Sequence, residues 1–278
     1  MKWLQFILSH SIFIALCAAA LCLQTVQLLH FNSNAWVYGF VFFATLCSYN
    51  FYWLLSKYAL RDRGSNHAGF ILKELVQVLL FTGSAAGTII CFYRSGIDEY
   101  LILPAMALTV LYAIPLLPFR FLKLVRRAGV VKTVLLAFTW TYVTAYIPLN
   151  KPPEMLSGAA VFILTRRFLF MMMLCIIFDS RDVKMDKIRG LHSLATDLGP
   201  NTLRYLIVSI FSVLFLTNFL CLNYGMSISQ SAALQVSTIA LLLTYFLSLK
   251  KQGYFFYYFF VDGLMLFSSL ATFIATIV

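Results

Sequence analysis

The 278-residue chain is 62% hydrophobic and only 11% charged, with a mean hydropathy of +0.87. That excludes a soluble globular domain, whose apolar share is nearer half. The formal charge of +11 would suit a nucleic-acid partner, but its placement, taken up below, argues against one.

A membrane span needs about 20 mostly apolar residues. Nine runs meet that description: 4–29, 35–58, 71–92, 99–118, 132–149, 157–178, 203–222, 230–249 and 255–277. In lipid the backbone must satisfy its own polar groups, so such runs are helices unless they close a barrel. Long runs without strict alternation exclude the barrel, and the short connections leave no room for a soluble domain. The expectation is an all-α polytopic membrane protein, residues 1–278 forming one transmembrane domain. The first run has a single early base, Lys2, and is longer than a signal-peptide core, so it is expected to remain as the first helix.

The second run ends in a polar-aromatic cluster, Tyr49, Asn50, Tyr52 and Trp53. An amide such as Asn50 in a membrane helix needs a partner or a cavity. Arg61 to His67 follow as a polar connection. The third run carries Gly83-Ser84-Ala85-Ala86-Gly87, a small-residue surface that lets helices approach closely. The fourth breaks at Pro115 and Pro118 into the basic segment RFLKLVRRAGVVK. In the sixth, Arg166 and Arg167 lie about ten residues into apolar sequence. Arginine at such depth costs roughly 2.5–3.5 kcal/mol on insertion scales, so it faces a partner or a wet cavity. Asp262 in the last run is a second intramembrane charge, and pairing with one of these arginines is an expectation. The six cysteines, Cys17, Cys22, Cys47, Cys91, Cys175 and Cys221, lack metal-type spacing and read as small packing residues.

Bases gather at alternate connections: Lys57, Arg61, Arg63 and Lys73 after the second run, and Arg120 to Lys132 after the fourth. Arg181 to Arg204 follow the sixth, and Lys250 and Lys251 the eighth. The opposite side has only Arg94 and Lys151. This bias predicts a cytoplasmic amino terminus and a carboxy terminus outside. Excess base thus marks orientation, and no nucleic-acid partner is expected.

Polar chemistry is concentrated between the sixth and seventh runs, in FDSRDVKMDKIRGLHSLATDLG, residues 178–199. Four of the chain's 10 acidic residues fall here: Asp179, Asp182, Asp186 and Asp197. The first three are spaced by three and then four, which places them on one helix face. Like charges at that spacing repel unless a cation sits among them. Carboxylates in such a group suit a hard cation such as Mg²⁺, which takes oxygen ligands and bridges to substrate phosphates. A solvated, salt-bridged loop is the other reading of the same residues.

Asp179-x-x-Asp182-x-x-x-Asp186-x-x-x-Gly190, followed by Ser193-Leu194-Ala195, resembles the second aspartate-rich signature of the UbiA superfamily of intramembrane prenyltransferases. The resemblance implies nine helices around a central cavity that takes an isoprenyl diphosphate and a lipophilic, aromatic acceptor. It also implies a multi-pass protein of the bacterial inner membrane surrounded by lipid. Asp179, Asp182 and Asp186 would be the catalytic, Mg²⁺-holding carboxylates. Asn50, Arg126, Arg127, Lys132, Arg181 and Lys184 would contact the substrate. The family's first signature, N-D-x-x-D-x-x-x-D, survives here only as Asn50, with Phe51 and Leu54 at the next two acidic positions. Two further readings stay open: a non-catalytic protein that keeps an isoprenoid or phospholipid pocket, and a small transporter.

Overall fold

The computed structural model describes residues 2–59, 68–113, 129–189 and 192–277. Among them every regular element is helical. In chain order these are α1 (Lys2–Ser9), α2 (Ile12–Leu28), α3 (Ala35–Ala59), α4 (Ala68–Ser95) and α5 (Glu99–Ala113). Next comes α6 (Gly129–Thr141), extended by a π turn at Tyr142–Tyr146 and a 3-10 turn at Ile147–Leu149. Then follow α7 (Gly158–Arg189), α8 (Leu194–Thr217), α9 (Ile228–Ser248), a π segment at Phe256–Val261 and α10 (Asp262–Ile277).

Six helices are long and apolar enough to cross a membrane among the described residues, or seven if α1 and α2 form one span bent by 70°. The expected count of nine is not reached by that measure, for local reasons. Run 4–29 breaks at Ser11, whose φ of 62° is left-handed. Asn50 and its flanking tyrosines dilute the apolarity of the 25-residue α3, and α5 is short as described. Two other boundaries also shift. The run expected to end near residue 178 continues as helix to Arg189, so the aspartate motif forms the last turns of α7 rather than a loop. The following helix begins at Leu194, behind a capping box in which Ser193 and Thr196 satisfy each other's backbone. Gly199 (φ 73°) and Pro200 then kink it before the membrane run proper.

α7 is central. Every residue from Phe170 to Ile177 is buried, as expected of a helix apolar on all sides. Of its apolar window 56% is buried, against 17% for Glu74–Ser95 of the peripheral α4. α3 and α4 form a close pair because Gly87 has no side chain: a Cβ there would lie 2.7 Å from the Phe43 ring. The bundle is closed by its first and last long helices. Ser269 of α10 donates to the Ala20 carbonyl at 2.5 Å, and Gln24 of α2 donates to the Ser268 carbonyl at 3.0 Å.

Candidate functional site

The site is built at the end of α7 and against the start of α6. Asp179 accepts a hydrogen bond at Oδ2 from the Thr133 hydroxyl, 2.5 Å away on α6. The first motif carboxylate is therefore fixed by a residue of a different helix. Next to Thr133 is Lys132, half-buried at the start of the same helix. The close approach of α6 to the motif depends on Gly129. A Cβ at that position would stand 2.5 Å from the Ser193 amide nitrogen and 2.6 Å from Asp197 Oδ2. Asp197 in turn takes His192 Nδ1 at 2.7 Å and the Thr196 hydroxyl at 3.2 Å. The start of α6 thus lies directly on the turn after the motif.

Arg181 and Asp182 face each other rather than acting apart. The guanidinium donates in a fork, Nε to Oδ1 at 2.7 Å and Nη2 to Oδ2 at 2.9 Å. Its carbon also lies 5.2 Å from the Phe178 ring centre, 4.9 Å from Tyr257 and 5.2 Å from Tyr258. A bidentate carboxylate and three ring faces hold this cation more firmly than an ordinary surface pair. The two tyrosines come from the π segment before α10, where an extra residue per turn redirects consecutive side chains. Tyr254 stacks on Tyr258 at 4.2 Å. Burial pushes the Tyr254 phenol up, and Tyr258 and Asp262 add to the shift.

Asp262 is buried at the start of α10. The expected pairing with Arg166 or Arg167 is not made: both arginines bond to neutral groups farther along the bundle. α7 runs from Arg167 to Asp179 over 12 residues, about 18 Å of rise, which separates them from the motif.

Asn50 is 1% exposed. Its Nδ2 donates to the Leu46 carbonyl at 2.8 Å, while its buried Oδ1 has no partner. Its neighbour Tyr49 meets Trp140 of α6 edge-on at 6.3 Å, so the Asn50 region of α3 is docked on the helix that also carries Thr133. The backbone of α7 places Asp186 and Lys184 beyond Asp182 on the same helix; their side chains, like Arg126, Arg127 and Asp62, lie outside the described residues. Among the described residues no group of three His, Cys, Asp or Glu side chains is arranged to hold a metal. By type these are hard-cation donors: Asp179 and Asp182 are carboxylates, both oxygens of Asp182 accepting from Arg181, and Asn50 holds an unused carbonyl oxygen.

Sequence reasoning missed Thr133, Gly129 and the aromatic cage of Arg181. A threonine or glycine at a helix start has no signature of its own, since its meaning comes from the helix opposite. The aromatic run YFFYYFF before Asp262 was visible, but only the fold brings it to Arg181.

No family model and no curated protein matches the sequence. Among solved structures, the apo form of a UbiA homolog from Aeropyrum pernix K1 superposes with a TM-score of 0.63 at 13% identity. That likeness covers 95% of this chain and 98% of the other. A digeranylgeranylglyceryl phosphate synthase superposes with a TM-score of 0.56 at 14% identity, covering 100% of this chain and 99% of that one. At such identities the likeness speaks for architecture, and it extends over essentially the whole length. The chain has the UbiA fold.

Proposed function

We propose that this protein is a divergent UbiA-type prenyltransferase. It would move an isoprenyl group from an isoprenyl diphosphate to a lipophilic, aromatic acceptor within the membrane. The observation that carries the reading is Asp179 held by Thr133 at the end of α7, in a chain whose motif and fold both resemble this family. Asp179, Asp182 and Asp186 would hold Mg²⁺, with Asn50 Oδ1 as a neutral oxygen from the opposite helix. Bound there, the cation would supply charge neutralisation to the departing diphosphate.

The remaining work falls to the chain itself. Lys132 at the start of α6, with Arg126, Arg127 and Lys184, would bind the diphosphate oxygens. Arg181 would join them if Asp182 exchanged its guanidinium partner for metal, while the rings of Phe178, Tyr257 and Tyr258 keep its stem in place. In the reaction the allylic C–O bond breaks with its electron pair leaving on the diphosphate. A new bond to the acceptor forms, and the acceptor gives up a proton. The apolar helices around α7 keep water from the allylic cation.

The test is purified protein in nanodiscs with Mg²⁺ and a series of allylic diphosphates, read by diphosphate release and by mass of the prenylated product. Asp179→Asn should lower turnover at least 100-fold, since one charge is lost where the metal would sit. No diphosphate release from any chain length overturns the transferase reading. A second reading, lipid-diphosphate binding without turnover, is favoured by Phe51 and Leu54 at first-signature acid positions and by the closed Arg181–Asp182 pair. It predicts binding that weakens in Asp182→Ala with no product at any time.

A further inference from the structure

The two intramembrane arginines form a second polar centre, about 18 Å of helix away from the motif. Arg166 donates to the Leu214 carbonyl at 3.0 Å, the Thr217 hydroxyl at 2.5 Å and Asn218 Oδ1 at 2.5 Å. Arg167 uses Nη2 alone on three acceptors: the Leu21 carbonyl at 3.0 Å, Gln24 Oε1 at 2.8 Å and the Thr25 hydroxyl at 3.3 Å. The residue is 5% exposed, and its buried Nη1 has no partner. All of these acceptors are neutral, and among the described residues neither guanidinium has a carboxylate partner. Two adjacent cations are therefore buried with dipoles to solvate them but no charge to balance them. A buried charge without a counter-ion is the most expensive kind of polar burial.

Both arginines line a cavity of about 30 Å³, together with Gln24, Ser237, Thr238 and Ser268 and apolar side chains elsewhere on its wall. A space of that size has room for a few waters or a small ion. Water would give Nη1 an acceptor but leave both positive charges uncompensated. A halide gives Nη1 its acceptor and supplies one of the two missing charges.

We propose that this cavity binds a small monovalent inorganic anion, chloride being the abundant case, with the Arg167 guanidinium as its principal ligand. The site joins α2, α7, α8, α9 and α10, so its occupancy ties together the central helix and the helices that close the bundle. It is independent of prenyl chemistry, and it stands or falls apart from the transferase reading.

The experiment uses full-length protein in nanodiscs of zwitterionic lipid. Thermal unfolding is compared in sodium chloride, sodium bromide and sodium gluconate at equal ionic strength, gluconate being the bulky organic anion for comparison. Chloride and bromide should raise Tm saturably, by about 2–4 °C over gluconate at tenfold or greater excess over Kd. Arg167→Met should abolish the difference, while Arg94→Gln at the membrane surface should retain it. Should Arg167→Met fail to fold, bromide-soaked crystals of the unaltered protein decide the matter. An anomalous peak within hydrogen-bond reach of Arg167 supports the site. Equal Tm in all three salts, a full halide effect in a folded Arg167→Met, or a cavity without a bromide peak overturns it.

Discussion

At the scale of single residues, the motif aspartates are not equivalent. Asp179 is tied to another helix through Thr133, whereas Asp182 is tied to the residue before it. Their spacing alone suggests one shared task, because helix geometry puts them on one face. Side-chain packing divides them: Arg181 folds back into a cage of three rings and takes Asp182 with it. Thr133 is a positioning residue for Asp179 in the proposed reaction. Thr133→Val keeps the volume and removes the hydroxyl, and such losses behind a metal-ligating group typically cost 10-fold to 100-fold. The expected outcome is that loss in kcat/KM together with a higher Mg²⁺ concentration for half-maximal rate, both restored by Thr133→Ser. An unchanged Mg²⁺ dependence would reduce Thr133 to a packing residue.

At the scale of elements, the informative junction is α6 against the turn between α7 and α8. Gly129 allows it, since any side chain would overlap backbone at Ser193 and a carboxylate at Asp197. The Ser193 nitrogen and the His192 carbonyl carbon, at 2.5 and 2.7 Å, are backbone atoms, so relief requires the α6 start to move. Gly129→Ala is expected to lower stability by about 1–3 kcal/mol, the usual range for overpacking, and to loosen the Thr133–Asp179 contact. The check is a fall in Tm together with a drop in turnover, to be compared with Gly83→Ala, where a Cβ meets nothing within 4 Å. Equal effects of the two substitutions would remove the special role of this junction. Helix existence was readable from apolar runs. Helix ends were not, because the continuation of α7 to Arg189 and the early start of α8 at Leu194 involve polar residues that a hydropathy window reads as connection.

At the scale of the whole molecule, closure of the bundle depends on polar groups inside an apolar interior. Gln24 is the hinge of that arrangement. Its Oε1 accepts from Arg167, while its Nε2 donates to the Ser268 carbonyl, the Ser268 hydroxyl and the Thr272 hydroxyl. One side chain of α2 thereby links the central α7 to the closing α10. Gln24→Leu removes acceptor and donor together and leaves part of Arg167 without a partner. A loss of about 1–3 kcal/mol is expected, seen as a lower Tm of the nanodisc-bound protein. Tm within error of the unaltered protein would mean that closure rests on apolar packing alone.

Sequence by itself determined the class of molecule. Apolar runs of span length admit only helices in lipid. It also determined where polar chemistry is concentrated, because ten acids in 278 residues make a cluster of four conspicuous. The Asp179 motif, carried on so distinctive a spacing, was enough to anticipate the UbiA fold. Tertiary structure alone decided which charges meet. Arg181 could have faced a diphosphate, Asp262 or lipid, and the π segment before α10 turned it into an aromatic cage beside Asp182. Arg166 and Arg167 could have met Asp262, but on α7 they stand a dozen residues from the motif and bond to neutral groups. Periodicity fixes a residue's face on its own helix, whereas its partner depends on which helix lies opposite and at what height, and that is set by the packing of the whole bundle.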